Sequence, residues 1–342
     1  MENKELNTLV KSTIFKVHGS SPEIVETHIS WVILTPDYAY KIKKPLSFSF
    51  LDFSTLAQRK FYCEQELFLN KRLAKEMYLK VIPIYSNGLD FSFQGTESEI
   101  IEFALLMKRM DSAMEMDKLL KNNAVSNESI KHLASKISAF HDNATRIYSV
   151  PDFSRLKEKF NDIKSVNKLI SSYLGDSFLK VIERAVQVSD DFLIENEILL
   201  ATRASDGYVR DVHGDFHSGN VFLYEDPVVF DCIEFNTEMR QMDVINELAF
   251  MCMDLEAHNR TDLSLLLYTY YFEASPLNNN EDTSLLFNYY KSLSANVRAK
   301  VAILNAAEIT DTTAFTKKIS DAKRYVNLLD KYLVLSKETK GK

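Results

Sequence analysis

At about residue 111 the sequence changes its hydrophobic period, and that change sets the class of fold open to it. Before that point, short β-branched and aromatic runs alternate with turn residues; after it, apolar residues recur at helical spacing over long stretches. The runs 29–34 and 38–43 flank Thr35-Pro36-Asp37, which is turn chemistry, and read as a hairpin. Further strands are expected over 81–85, 89–93 and 99–106, with Asn87-Gly88 as a hairpin turn. One helix interrupts them from about 55 to 74, capped by Ser54, with Cys63, Leu67, Asn70 and Ala74 on one stripe. Beyond 111, helices are expected over 129–140, 153–174, 178–188, 242–256, 263–273, 283–306 and 314–335. A β-like interlude at 208–235 breaks the series. The expected class is α+β and two-lobed: a small, mainly antiparallel β-rich lobe with one helix over 1–105, and a larger α-helical lobe over 106–342.

Composition removes several functions. Of 342 residues, 46% are hydrophobic and 26% charged, which suits a soluble globular chain with a sizeable core. Apolar runs such as 104–107 and 265–267 fall far short of the roughly 18–20 residues of a membrane span. The opening MENKELNTLVKSTIF lacks the basic and apolar regions of a secretory leader. Cys63, Cys232 and Cys252 lie far apart, as expected of buried thiols in a reducing cytoplasm. The eight glycines assemble no G-x-G-x-x-G, and Gly214 and Gly219 are followed by Asn220 instead of a Walker lysine. A net charge of -7 argues against a nucleic-acid partner.

The chemistry concentrates in 212–236, VHGDFHSGNVFLYEDPVVFDCIEFN. Phosphoryl transfer from a nucleotide requires a carboxylate that orients and deprotonates the acceptor hydroxyl, and oxygen ligands that hold magnesium on the phosphates. Asp215 fits the first role; Asn220 and Asp231 fit the second, because Mg²⁺ takes hard oxygen ligands and is satisfied by two protein ligands plus phosphates and water. A glycine-rich turn with Asp and Asn as turn formers would explain an isolated Asp-x-x-x-x-Asn equally well. His-Gly-Asp, followed by an apolar strand ending in Asp231, favours a site.

HGDFHSGN resembles the catalytic loop of the aminoglycoside phosphotransferase and choline kinase-like enzymes, which share the protein-kinase fold, and VVFDCIEFN resembles their metal-binding segment. ETHISWV, AYKIKKP, FLDFSTL, LNKRLA, DLEAHNR and NVRAKV are similar to an uncharacterised bacterial branch of that family, so the likeness runs over 26–301. The resemblance implies a kinase-like pair of lobes, ATP or GTP with Mg²⁺, and a small-molecule hydroxyl as acceptor. It also implies a strand lysine on the phosphates paired with a helix glutamate. Ala39-Tyr40-Lys41 matches that strand ending, although Lys43 points to the same face and period-two alternation does not exclude it. Glu66 shares a helix face with Asn70 and Leu73 and is the better partner than Glu64. Residues 101–110 are implied to connect the lobes and offer backbone to adenine.

The departures bear on substrate. No glycine-rich loop covers the phosphates; only Gly19 lies near its place. Gly214 stands where a protein kinase carries arginine, and no peptide-docking platform follows Asp231, so a small acceptor is expected. Residues 225–262 hold ten carboxylates against Arg240 and Arg260. That excess reads either as a negative field for a cationic substrate and magnesium or as a solvated helix face. Asp243 is expected to hold the catalytic loop from the following helix, His213 to orient or pack, and His141 to be structural. Two other functions remain open from sequence: a nucleotide-binding sensor without transfer activity, and a metal phosphoesterase, the latter disfavoured by the lack of Asp-x-His and Asn-His clusters.

Overall fold

Glu23–Glu26 (β1), Ser30–Leu34 (β2) and Tyr38–Lys43 (β3) form an antiparallel meander, the second turn falling on Pro36-Asp37. Tyr78–Ser86 (β4), Phe91–Ser92 (β5) and Ile100–Lys108 (β6) complete a six-stranded antiparallel sheet in the order β1-β2-β3-β6-β4-β5. The computed structural model describes residues 3–15, 22–48, 51–88, 90–149 and 152–338; Gly19 and Leu89 lie outside them. The chain divides into two compact units, Met1–Leu119 with Gly219–Met239, and Leu120–Ser218 with Arg240–Lys342.

In the first unit the alternation of β3 separates two chemistries. Tyr40 and Ile42 join one core, where Leu6, Leu9, Val10 and Phe15 cover Trp31, Ile33, Ile84 and Ala104. Ala39 enters the opposite core with Leu105, Met107, Tyr78 and Phe222, and Lys41 and Lys43 share its parity. The first core is roofed by a helix, Asn3–Lys11, which the sequence reading omits. The expected 55–74 helix runs over Leu56–Asn70, and its cap is Thr55, not Ser54: the Thr55 hydroxyl accepts from Gln58 N. It ends at Asn70, whose carbonyl accepts from both Leu73 and Ala74 and whose side chain donates to Glu66 O. The strand expected over 99–106 runs over Ile100–Lys108 in the sheet interior, so of 101–110, implied to be the connector, only Arg109 and Met110 lie beyond it.

The second unit is mostly helical. Val244–Ala257, of whose 14 residues all but Asn246 and Phe250 are buried, packs against Thr261–Ala274, Glu281–Glu308 and Thr312–Glu338, while Asn127–Asn143 lies on Thr261–Ala274 and Asp176–Glu195 on Thr312–Glu338. The single helix expected over 153–174 is three pieces, Phe153–Asn161, a 3₁₀ turn Asp162–Val166 and Asn167–Leu174. The Ser165 hydroxyl donates to Asp162 O at 2.7 Å, competing with the helical ladder at the break. No helix among the described residues is long and apolar enough to cross a membrane. The three cysteines are buried and in no disulfide with one another.

Asp243 does not hold segment 213–218, as was expected of it. It caps the Val244–Ala257 helix through Ile245 N and forms a fork-like pair with buried Arg203, whose Nη2 lies 2.9 Å from Oδ1. Removing one partner of a buried pair leaves an uncompensated charge, so Asp243→Ala is expected to lower unfolding free energy by about 3–5 kcal/mol. Urea denaturation checks it; a loss below about 1 kcal/mol would mean that Arg203 finds water or another acceptor.

Candidate active site

In the first unit, a network of five charged side chains forms where β3, the Leu56–Asn70 helix and segment 231–234 meet. Lys41 Nζ donates to Glu66 Oε1 at 2.7 Å and to Asp231 Oδ1 at 2.5 Å. Lys43 Nζ donates to the other Glu66 oxygen, Oε2, at 2.7 Å, and to Glu234. Glu66 is wholly buried and Lys43 is 1% exposed, whereas the Asp231 carboxylate is 45% exposed. Burial works against both ammonium charges, yet the Asp231 and Glu66 charges raise Lys41 well above its ordinary pKa, and Glu234 and Glu66 raise Lys43. Burial likewise opposes ionisation of Glu66, but its two lysines hold it below the usual carboxylate range.

The backbone that presents Asp231 is specialised. Val221–Phe222 and Val228–Val229 make a two-stranded hairpin, and Phe230 N donates to Asn220 O at 3.0 Å, which brings residues 220 and 231 to its open end. Asp231 itself has φ 64°, left-handed backbone that a residue with a Cβ rarely adopts. Its N–H donates to Tyr78 Oη at 3.1 Å and the next N–H, of Cys232, to Asn70 Oδ1 at 2.9 Å. These two anchors, from β4 and the helix end, stabilise the unusual conformation. Beside the network lies a cavity of about 240 Å³ with mainly apolar walls, including Val32, Leu34, Ala39, Met107, Phe222 and Phe230. Lys41 and Asp231 line it, as do Lys108, Arg109 and Met110; Lys43 does not.

The second unit carries loop 213–218. Gly214 has φ 89°, and its N–H donates to Glu247 Oε1 at 2.6 Å, while Glu247 Oε2 meets His141 Nε2 at 2.8 Å. His141, closed on its other side by Tyr271 Oη at 2.8 Å, is structural. Seven residues along the same helix, Asp254 accepts from Ser218 N at 2.9 Å and Ser218 Oγ at 2.5 Å. Glu247 and Asp254 therefore grip the loop at both ends, the role expected of Asp243. Within it, Asp215 N donates to His213 Nδ1 at 3.3 Å, and Asp215 Oδ2 lies 3.5 Å from His217 Nε2. Burial would raise the Asp215 carboxyl, but the His217 charge and hydrogen bond, with His213 and Arg298, hold it at about 2.

The acidic run is only partly internal. Glu234 pairs with Lys43, Asp243 with Arg203, Glu247 with His141, and Glu256 with Lys291 and Lys331. Asp254 is buried as well, whereas Glu225, Asp226, Glu238 and Asp262 of the same run are exposed, so half of the ten carboxylates are internal and four stand at the surface. No group of three or more His, Cys, Asp or Glu side chains that could hold a metal occurs among the described residues. Asp231 and Asn220 nonetheless suit a magnesium ion that is completed by phosphate oxygens: both offer hard oxygen, and the Asp231 carboxylate is open to the cavity.

A family model described as the phosphotransferase enzyme family matches residues 57–276. Uncharacterised proteins of Mycobacterium tuberculosis (strain H37Rv) and Mycobacterium bovis are each 30% identical over 290 residues, which is 82% of this chain. The chain spans only 54% of those relatives' length. Among solved structures, choline kinase from Cryptosporidium parvum has a TM-score of 0.54 at 12% identity, covering 93% of this chain and 90% of the other. The GDP and kanamycin complex of APH(2")-IIia has a TM-score of 0.53 at 10% identity, covering 95% and 98%. At such identities the likeness is one of fold, and it is the protein-kinase-like fold expected from the motifs.

Proposed function

The chain belongs to the phosphotransferase enzyme family, and on that footing we propose that it transfers the γ-phosphate of ATP or GTP to a hydroxyl of a small molecule in the cytoplasm. The observation that carries the proposal is Lys41, bridging Glu66 and Asp231 at the wall of an apolar cavity of nucleobase size. The cavity walls take the base by burial and dispersion, and Lys41 turns its ammonium to the phosphates. Magnesium, when bound through the Asn220 and Asp231 oxygens, supplies charge neutralisation on the β- and γ-phosphates. Asp215 accepts the acceptor's hydroxyl proton as its oxygen forms the new bond to γ-phosphorus. The bond to the β–γ bridging oxygen breaks, and the nucleoside diphosphate leaves with that electron pair.

The test is a metabolite extract incubated with the protein, Mg²⁺ and γ-labelled ATP or GTP, read by mass spectrometry, with nucleotide binding followed in parallel by melting temperature. Label is expected in a small hydroxyl compound. Binding that raises the melting temperature without any labelled product identifies a sensor instead. Failure to bind either nucleotide overturns both readings.

A further inference from the structure

Lys43 does not line the cavity and is sealed at 1% exposure, so nucleotide is not its ligand. A buried lysine is nevertheless costly, and its neighbours show what it does. Its ammonium stands over the Phe53 ring, 4.7 Å from the centroid, and joins two carboxylates from different parts of the unit: Glu66 on the helix and Glu234, three residues beyond Asp231. Glu66 thus has each oxygen held by a different lysine, which fixes both the position and the plane of its carboxylate.

We propose that Lys43 and Glu234 form a latch, separate from the groups that contact nucleotide, that holds Glu66 toward Lys41 and segment 231–234 against β3. The inference rests on the phosphotransferase reading. When phosphates draw Lys41 away, or a metal draws Asp231, the Lys43–Glu234 pair has no ligand to answer and stays closed. Glu66 therefore keeps its place without help from Lys41, and the site is assembled before nucleotide arrives. Lys43 and Glu234 are positioning residues: neither touches substrate, and both act through Glu66 and the Asp231 backbone.

The discriminating variant is the apolar pair K43M/E234L. Replacing a buried ion pair by packed apolar side chains commonly preserves stability, whereas it leaves Glu66 with one lysine. The probes are ADP and GDP bearing a fluorescent ribose tag, with Mg²⁺, and melting temperature is read on the same samples. The expected result is a wild-type melting temperature with nucleotide affinity weakened on the order of tenfold or more, as for other groups that orient a ligand-bearing residue. Full affinity in a stable double variant would reduce the pair to a structural role and overturn the latch. Should that variant fail to fold, Glu234→Gln decides. The isostere keeps volume but leaves Lys43 to compete with Lys41 for Glu66, so affinity falls if the latch exists and is unchanged if it does not. A wild-type protein that binds no tagged nucleotide ends the phosphotransferase reading, and this one with it. Binding that is indifferent to all the variants ends this one alone.

Discussion

The Asp215→Asn variant is expected to bind magnesium nucleotide as the wild type does and to transfer phosphate about 10²–10⁴-fold more slowly. The amide keeps the shape of the carboxylate but accepts no proton and bears no charge. Its loop should stay in place, because the gripping bonds run from Gly214 and Ser218 to Glu247 and Asp254, not through the Asp215 side chain. The loss therefore belongs in kcat, with the nucleotide KM little changed. Equal turnover in the two proteins would remove Asp215 from the chemistry.

The same loop sets the expected pH dependence. With its carboxyl at about 2, Asp215 is ionised throughout the neutral range and contributes no acid limb there. His217 does: burial lowers its pKa, but the Asp215 charge and hydrogen bond, with Asp254, outweigh burial and raise it above the ordinary value. Below that pKa the imidazolium neutralises the Asp215 carboxylate; above it the carboxylate is the stronger base, so turnover rises with pH through the His217 titration. Stability follows the opposite sign for the histidine. Its contribution is full below the unfolded value of about 6.5 and is lost as pH rises through the folded one, while the Asp215 contribution, present above about 3.9, is lost as pH falls toward 2. His217→Asn is expected to flatten the activity limb. A wild-type profile already flat between about pH 6 and 9 would exclude His217 from control of the base.

How much of this was legible depends on sequence distance. The β2–β3 hairpin follows from a turn tripeptide between two strand runs, a local signal, whereas Lys41 and Glu66 come through the resemblance, by the match of Ala39-Tyr40-Lys41 to the family's strand ending and by the helix face that Glu66 shares with Asn70 and Leu73. The alternation that left Lys43 as an alternative is physically sound, since both ammoniums do reach Glu66. What separates them is exposure, and that comes from packing by Phe53 and from Glu234, whose partner lies 191 residues earlier in the chain. No periodicity reports a pairing of that range. Glu247 and Asp254 were hidden for the same reason, in a helix buried almost all round that displays no polar face from which to read their direction. The Asn3–Lys11 helix was readable, because Leu6, Leu9 and Val10 carry the helical i, i+3, i+4 spacing.

Lys41→Met separates the chemistry of the network from its stability. Of the two lysines, Lys41 alone lines the cavity, so its loss removes the ammonium proposed for the phosphates. Turnover is expected to fall about 10²–10³-fold, the scale of losing one preorganised group from a developing charge. The fold should tolerate the change, and the charge inventory says why. Glu66, which is fully buried, still has Lys43 at 2.7 Å, and Asp231, which loses its ammonium partner, is 45% exposed and can be hydrated. No buried carboxylate is left bare. Lys43→Met has the reverse geometry, because it abandons Glu234 at 4% side-chain exposure, and burial already pushes that carboxyl up. The melting temperature should therefore drop further for Lys43→Met than for Lys41→Met, although only Lys41 is proposed to meet nucleotide. Lys41→Arg is expected to rescue little, since a planar fork does not reproduce one compact ammonium shared by two carboxylates at 2.5 and 2.7 Å. A Lys41→Met protein with normal turnover would transfer the phosphate role to another cation. One that unfolds more readily than Lys43→Met would mean that Asp231, not Glu234, is the carboxylate the fold depends on.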